Sequence, residues 1–255
     1  MDGLIDQLDA PPVTPRVTGL PRPPVTETSP PSITWRLPVT FLGLAVICFL
    51  FLDQPVGQFF SKRGLKGDLA DAVNAAEHFG TPFGQLMILG SIAAVSCWRA
   101  GYVARILAGA LAGGLAADVV KLLIARTRPR AFDYASTSML PSFTELFPFG
   151  ASGASYQSFP SAHTACAFAF AAMLTWAYPT GRRAFVIIAC LAGLQRVCCG
   201  AHFLSDACAG AALGWVVGTL FFTWPPLSKS FDRLEAWWSN RLESRSRQTS
   251  STESA

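Results

Sequence analysis

The sequence predicts an all-α integral membrane protein built as a six-transmembrane-helix bundle, and three observations predict it. The 255 residues are 51% hydrophobic and only 14% charged, with a mean hydropathy of +0.36; a soluble domain carries about a quarter charged residues. Apolar runs near the roughly 17–25 residues that cross a bilayer recur along the chain. Three short polar segments abut those runs, and six spans would bring all three to one face. Charge at a membrane edge is costly and usually functional.

Taken in order, residues 1–34 hold eight prolines and little apolar periodicity, which predicts a disordered, extended arm. Its Pro-x-x-Pro matches at Pro12–Pro15 and Pro21–Pro24 are too short to carry a recognition function. The first apolar run, 37–52, begins too late for a secretory signal and stays as the first helix. In the link 53–80, Leu65, Leu69, Val73 and Ala76 recur at helical spacing, predicting an amphipathic surface helix, with His78 an ordinary surface histidine. Runs 82–98, 102–124, 162–178, 184–199 and 204–224 supply helices two to six. Together, residues 35–225 form the membrane domain, followed by a polar, unstructured C-terminal tail at 226–255.

Two of these helices carry small-residue faces, Gly109–Gly113 and Gly210–Gly214–Gly218, which let backbones approach closely. They suit a homodimer, but packing inside one bundle uses them more cheaply. The connection 125–160 is long and rich in aromatics; its position between two polar segments predicts a lid or an entry for substrate.

With the N-terminus inside, eleven cations fall on the cytoplasmic side against eight outside, a positive-inside bias. The polar segments then face the extracytoplasmic side, in a bacterial setting the periplasmic face of the inner membrane. The seven cysteines are odd in number and lie mostly in apolar runs, so no disulfide framework is expected. Cys198 and Cys199 lack a second pair at zinc spacing and read as packing residues. No metal, no cofactor and no nucleic-acid partner is expected.

The segments themselves are Lys121-Leu-Leu-Ile-Ala-Arg-Thr-Arg128-Pro129, Pro160-Ser161-Ala162-His163 and Arg196-Val-Cys-Cys-Gly-Ala-His202-Phe-Leu-Ser-Asp206. Lys121 and Arg128 are two helical turns apart if the helix continues, and Pro129 ends it. Arginine offers a planar fork to oxygen anions and lysine a point charge. With Arg196 they make a site for a group of about two negative charges, which phosphate or pyrophosphate fits best. Asp118, three residues before Lys121, reads as its local charge partner. Ser161 is placed to cap the fourth helix and leave first-turn N–H groups facing an anion, with His163 in that turn. His202 and Asp206 are four apart on one helix face, so the carboxylate would fix the ring tautomer and free the other nitrogen as a nucleophile. The cations would supply the charge stabilisation that a metal otherwise provides.

The pattern Lys-x6-Arg-Pro, Pro-Ser-x-His, Arg-x5-His-x3-Asp resembles the phosphatidic acid phosphatase type 2 superfamily, which includes membrane lipid phosphatases and vanadium-dependent haloperoxidases. The resemblance implies hydrolysis of a lipid phosphate or diphosphate: undecaprenyl diphosphate, phosphatidic acid, phosphatidylglycerol phosphate or the 1-phosphate of lipid A. It implies that His202 attacks phosphorus to give a phosphohistidine, that Asp206 orients His202, and that His163 protonates the leaving oxygen. Lys121, Arg128, Arg196 and Ser161 would hold the phosphoryl oxygens. Two positions depart from the pattern: Ala162 where glycine is usual and Gln195 where serine precedes the arginine. They bear on substrate fit and rate. The other functions compatible with such a site are a lipid phosphotransferase, a haloperoxidase, which six spans disfavour, and a non-catalytic anion-binding protein, which the two histidines disfavour.

Overall fold

A computed structural model of the chain describes residues 35–96, 100–135, 138–149 and 153–252; the proline-rich arm lies outside the described residues. Helix α1 (Arg36–Ile47) runs through a π-helical turn (Cys48–Leu52) into α2 (Asp53–Lys62). After α3 (Asp68–Ala75) and a 3-10 turn (Ala76–Gly80) come α4 (Pro82–Ser96) and α5 (Ala100–Leu123). Strands β1 (Ile124–Arg126) and β2 (Phe143–Leu146) pair antiparallel, Ile124 opposite Leu146. Then follow α6 (Ala162–Ala177), α7 (Arg182–Cys198), α8 (Leu204–Thr223) and α9 (Pro225–Thr252).

Helix α6 is the axis of the bundle. It is buried without interruption from Thr164 to Leu174 and packs against α5, α7 and α8, while α1 lies on α8. A sequence apolar on every side beyond its first turn, broken only by Thr175, is what such a central position demands. The small-residue faces are used here, inside one chain. At Gly214 a Cβ would collide with the carbonyl oxygen of Ala165, so only glycine lets α8 approach α6 this closely.

Three helical stretches are long and apolar enough to cross a bilayer: Arg36–Lys62, Tyr102–Leu123 and Leu204–Thr223. Pro82–Ala94 and Ala162–Ala177 are apolar but shorter. The molecule is a mostly helical membrane protein.

The structure departs from the sequence reading in four places. The first run continues past Leu52 to Lys62 and takes Asp53 with it. Helix α5 stops at Leu123, so Lys121 and Arg128 do not share a helix; the chain turns extended through β1 instead. The connection that follows is strapped back onto β1, with Thr127 N–H donating to Ser142 O (2.8 Å) and Ser158 N–H to Arg126 O (3.0 Å). The polar tail is helical as α9. Its anchor is Arg105, buried in α5, which donates to Asp232 (2.9 Å), Glu235 (3.3 Å) and Phe221 O (3.0 Å) and stacks over Phe222. On the surface segment, Val73 packs inward and Leu69 stays out, and His78 is exposed.

The α6–α8 contact yields a prediction. Gly214→Leu forces the helices apart at Ala165 and is expected to cost about 1–3 kcal/mol or more, read as a lowered unfolding temperature in detergent, whereas Gly90→Leu, with open space around it, leaves that temperature unchanged.

Candidate active site

The site starts from a buried charge. Arg126, at the end of β1, is fully enclosed, as are Asp53 of α2 and Asp206 of α8. Its Nη2 donates to Asp53 Oδ2 at 2.8 Å, and its Nη1 to Asp206 Oδ1 and to Ser205 Oγ (2.7 Å). Nε donates to Ser142 Oγ at 3.1 Å. Phe49, Phe143 and Phe203 stand around the guanidinium, the nearest ring centroid 4.4 Å away. One cation does not neutralise two carboxylates, and neutral donors make up the difference. Asp53 accepts from Ser205 N–H (2.9 Å) and Ser205 Oγ–H; Asp206 accepts from Ser158 Oγ–H (2.6 Å) and Phe203 N–H (2.8 Å).

This cluster sets the position of His202. Helix α7 ends in a Schellman turn, with Gly200 at φ +66°, Gly200 N–H on Val197 O (2.9 Å) and Ala201 N–H on Arg196 O (3.1 Å). The His202 N–H also donates to Arg196 O (3.1 Å), which points the chain into α8. His202 therefore precedes α8 rather than lying on it. Its Nδ1 is 2.7 Å from the carbonyl oxygen of Ser158 and 3.9 Å from Asp206 Oδ2. The direct His202–Asp206 hydrogen bond read from the sequence is replaced by one through Ser158. Asp206 is already occupied by Arg126, the α8 N-terminus and the Ser158 hydroxyl, so the carbonyl of the same serine holds the ring. A carbonyl only accepts, so Nδ1 carries the proton and Nε2 keeps its lone pair. Burial first, and then the Arg128 charge, hold the imidazole well below its ordinary 6.5, against the pull of the Ser158 carbonyl. That direction favours the neutral ring.

Ser161 caps α6 as the sequence indicates: its Oγ accepts from Thr164 N–H (3.4 Å) and Thr164 Oγ1–H (2.9 Å). Its own hydroxyl proton remains to donate. His163 follows in the first turn and is part-exposed. Lys121 is buried and donates to Asp118 Oδ1 at 2.9 Å, the local partner expected of that acid. Arg128 is fixed by its backbone, N–H to Ser155 O at 2.8 Å. Burial first, then the Arg196 and Arg130 charges, push its guanidinium down from its ordinary value. The side-chain Nε atoms of Arg128 and Arg196 are buried and have no hydrogen-bond partner. Arg128, Lys121 and Arg196 all lie within electrostatic reach of both His202 and His163. The three segments converge on one place.

Several residues here were not singled out from the sequence. Glu77 accepts from Arg196 Nη1 at 2.6 Å and stands 3.8 Å from His163 Nε2. Gln195 explains its departure from the family pattern: its Nε2 donates to Glu77 (3.2 Å) and Asn74 (3.2 Å), and its Oε1 accepts from Arg196 (3.2 Å). No contact accounts for alanine at 162. Asp53 had a legible signal, an acid interrupting an apolar run. Glu77 and Ser158 had none, because only the fold carries them to the motifs. Among the described residues, no group of three or more His, Cys, Asp and Glu side chains assembles as a metal-binding set.

A histidine held at one ring nitrogen by a carbonyl and set among three cations beside apolar helices is a site chemically suited to an anionic group. The sequence model of the PAP2 superfamily matches residues 102–230, just over half of the chain, and the chain belongs to that superfamily. It is similar to the protein named lipid A 1-phosphatase of Rhizobium etli, 38% identical over 102 residues, which are 40% of this chain and 40% of that one. Its counterpart in Rhizobium johnstonii is 39% identical over 102 residues, 40% of this chain and 38% of that one. The match thus spans about two fifths of the length of these curated relatives. Among solved structures it is similar to a transmembrane PAP2 type phosphatidylglycerolphosphate phosphatase from Bacillus subtilis, with a TM-score of 0.43, 20% identity, and coverage of 77% of this chain and 96% of that one.

Arg126→Ala leaves two enclosed carboxylates without their cation. It is expected to cost about 3–5 kcal/mol, measured by unfolding in detergent, and to abolish the folded species if the margin is smaller than that. Arg130→Ala, at an exposed neighbour, is expected to unfold like the wild type.

Proposed function

We propose that this chain is a metal-independent lipid phosphate phosphatase acting through a phosphohistidine. The observation that carries the reading is the His202 ring, held at Nδ1 by the Ser158 carbonyl, with Arg128, Lys121 and Arg196 around it. In the proposed first step, Nε2 of His202 attacks phosphorus and the bond to the lipid oxygen breaks, with His163 giving that oxygen its proton. In the second, His163 takes a proton from water, whose oxygen attacks the phosphohistidine and returns His202 and phosphate. Arg128, Arg196, Lys121 and the Ser161 hydroxyl hold the equatorial oxygens, where charge grows in the transition state. Glu77 ties down one edge of Arg196 and leaves the unpartnered Nε edge for the phosphoryl group. Asp206 acts on His202 through Ser158, as an orienting residue.

The curated relatives support the 1-phosphate of a lipid A-type glycolipid as the first substrate to try, ahead of undecaprenyl diphosphate, phosphatidic acid and phosphatidylglycerol phosphate. We place six spans in a bacterial inner membrane with the site on the extracytoplasmic face. Reporter fusions test the orientation: one after Tyr178 is expected to read cytoplasmic and one after Leu140 external. The reverse pattern overturns the placement.

Phosphate release from that panel by purified protein, in EDTA, tests the reaction. His202→Ala is expected to lose several powers of ten in kcat/KM, on the order expected for a removed nucleophile. His163→Ala is expected to lose about 10²–10⁴ on lipid substrates and much less on an aryl phosphate, whose leaving group needs no proton. Because the free His202 ring titrates well below 6.5, the acid limb of kcat/KM is expected below that pH: the nucleophile is lost only as pH falls through its depressed value. Magnesium-dependent activity, or aryl phosphate rescue of His202→Ala rather than His163→Ala, contradicts the proposal.

A further inference from the structure

Next to the catalytic cluster lies a groove of about 390 Å³, within the size range of small-ligand sites. Its floor is apolar, with Val73 and Cys198 both buried, and its rim carries Lys62, Arg63 and Arg130. None of its twelve lining residues is acidic. Three cations around one concavity repel one another, and an anion seated between them relieves that repulsion. The groove is also joined to the site already described. Cys199, on its wall, is three residues beyond Arg196, roughly 4–5 Å along a helix. Arg130 donates to the Cys199 carbonyl, lies against Gly200, and is close enough to perturb the charge on Arg128. Asn74, also on the wall, accepts from Gln195, which in turn holds Glu77 and Arg196. Lys62 and Arg63 end the long α1–α2 helix on the face where the motifs lie, with exposed side chains that the catalytic cluster does not use.

We infer that this groove binds a second anionic group, a phosphate on a lipid headgroup, while the first occupies the catalytic cluster. The inference rests on the lipid phosphatase reading and narrows it: the preferred substrate either carries two phosphates itself or is presented beside an anionic lipid. The apolar floor takes the uncharged part of the headgroup, and the mobile ammonium and guanidinium of Lys62 and Arg63 close on its oxygens.

The test compares wild type with the Lys62→Gln/Arg63→Gln double variant in neutral detergent. Each is given a lipid with two phosphomonoesters, the same lipid with one, and the one-phosphate lipid with added phosphatidylglycerol. If the second phosphate belongs to the substrate, the double variant loses about tenfold to a hundredfold in kcat/KM on the two-phosphate lipid alone, chiefly through KM. If it belongs to a neighbouring lipid, phosphatidylglycerol stimulates the wild type and not the variant. Lys62→Arg/Arg63→Lys keeps the charges and is expected to restore either effect. A variant that matches wild type in all three mixtures, or loses equally in all, overturns the inference. Hydrolysis of the one-phosphate lipid by the wild type reports separately on the phosphatase reading. Should no lipid be turned over, binding of the His202→Ala chain to nanodiscs of the two-phosphate lipid still decides the groove: weaker binding by the Lys62→Gln/Arg63→Gln triple supports it, and equal binding rejects it.

Discussion

The enclosed Arg126 and its two carboxylates tie together three parts of the chain that are far apart in sequence. Asp53 comes from the second helix, Arg126 from a three-residue strand, and Asp206 from the first turn of α8. A buried ion cluster of this kind adds little net stability over apolar packing, since desolvation offsets most of the attraction. It does specify position, because any rearrangement strands a charge away from water. Ser205 and Ser158 complete the shell, and Ser158 passes the constraint on: its hydroxyl binds Asp206 while its carbonyl holds the His202 ring. The orientation of the candidate nucleophile thus depends, through two hydrogen bonds, on a charge cluster that does not touch it.

The bundle below serves the same end. Helix α6 is encased by α5, α7 and α8, with glycine on α8 allowing backbone contact at Ala165. That contact brings the first turn of α8 against the start of α6, where Ser161 N–H donates to Asp206 O at 3.1 Å. Ser161, His163 and Asp206 therefore have their relative positions set by helix packing, and rigid elements hold site geometry better than loops do; His202 is added from the α7–α8 turn and held by Ser158.

Much of this was legible in the sequence. The apolar runs located the helices, and the spacing of the three polar segments picked out Lys121, Arg128, Ser161, His163, Arg196, His202 and Asp206, all of which the fold gathers at one end of the bundle. The small-residue faces were recognisable, and so was the Ser161 cap. Other features depend on contacts between distant parts of the chain. A run of eight residues from Lys121 to Arg128 fits a helix as well as a helix-to-strand change; the pairing of β1 with β2 decides between them. The i, i+4 spacing of His202 and Asp206 suggested a direct bond, but the Schellman turn at Gly200 delays the helix until Leu204 and Ser158 enters from the strap. Residues 226–255 look like a solvated tail in composition, yet Arg105, caged by Phe222 and Phe231, gives the acids of that segment, Asp232 and Glu235, a cation to pair with and the helix a surface to follow.

The cations and the neutral histidine are two aspects of one electrostatic arrangement. Lys121, Arg128 and Arg196 raise the local potential, which both discourages protonation of His202 and favours an incoming dianion. Left uncompensated, such a cluster would be a liability at the edge of a low-dielectric bundle. Part of the compensation is built in: Asp118 takes Lys121 and Glu77 takes Arg196, one acid for each of two cations. Both acids are at least partly exposed, so neither carries the full cost of a buried carboxylate. Arg128 has no such acid within hydrogen-bond distance among the described residues, and burial, then the Arg196 charge, push its guanidinium down. Its buried Nε, without a hydrogen-bond partner, lies within electrostatic reach of the ring that would attack, and a phosphoryl oxygen would supply the missing acceptor.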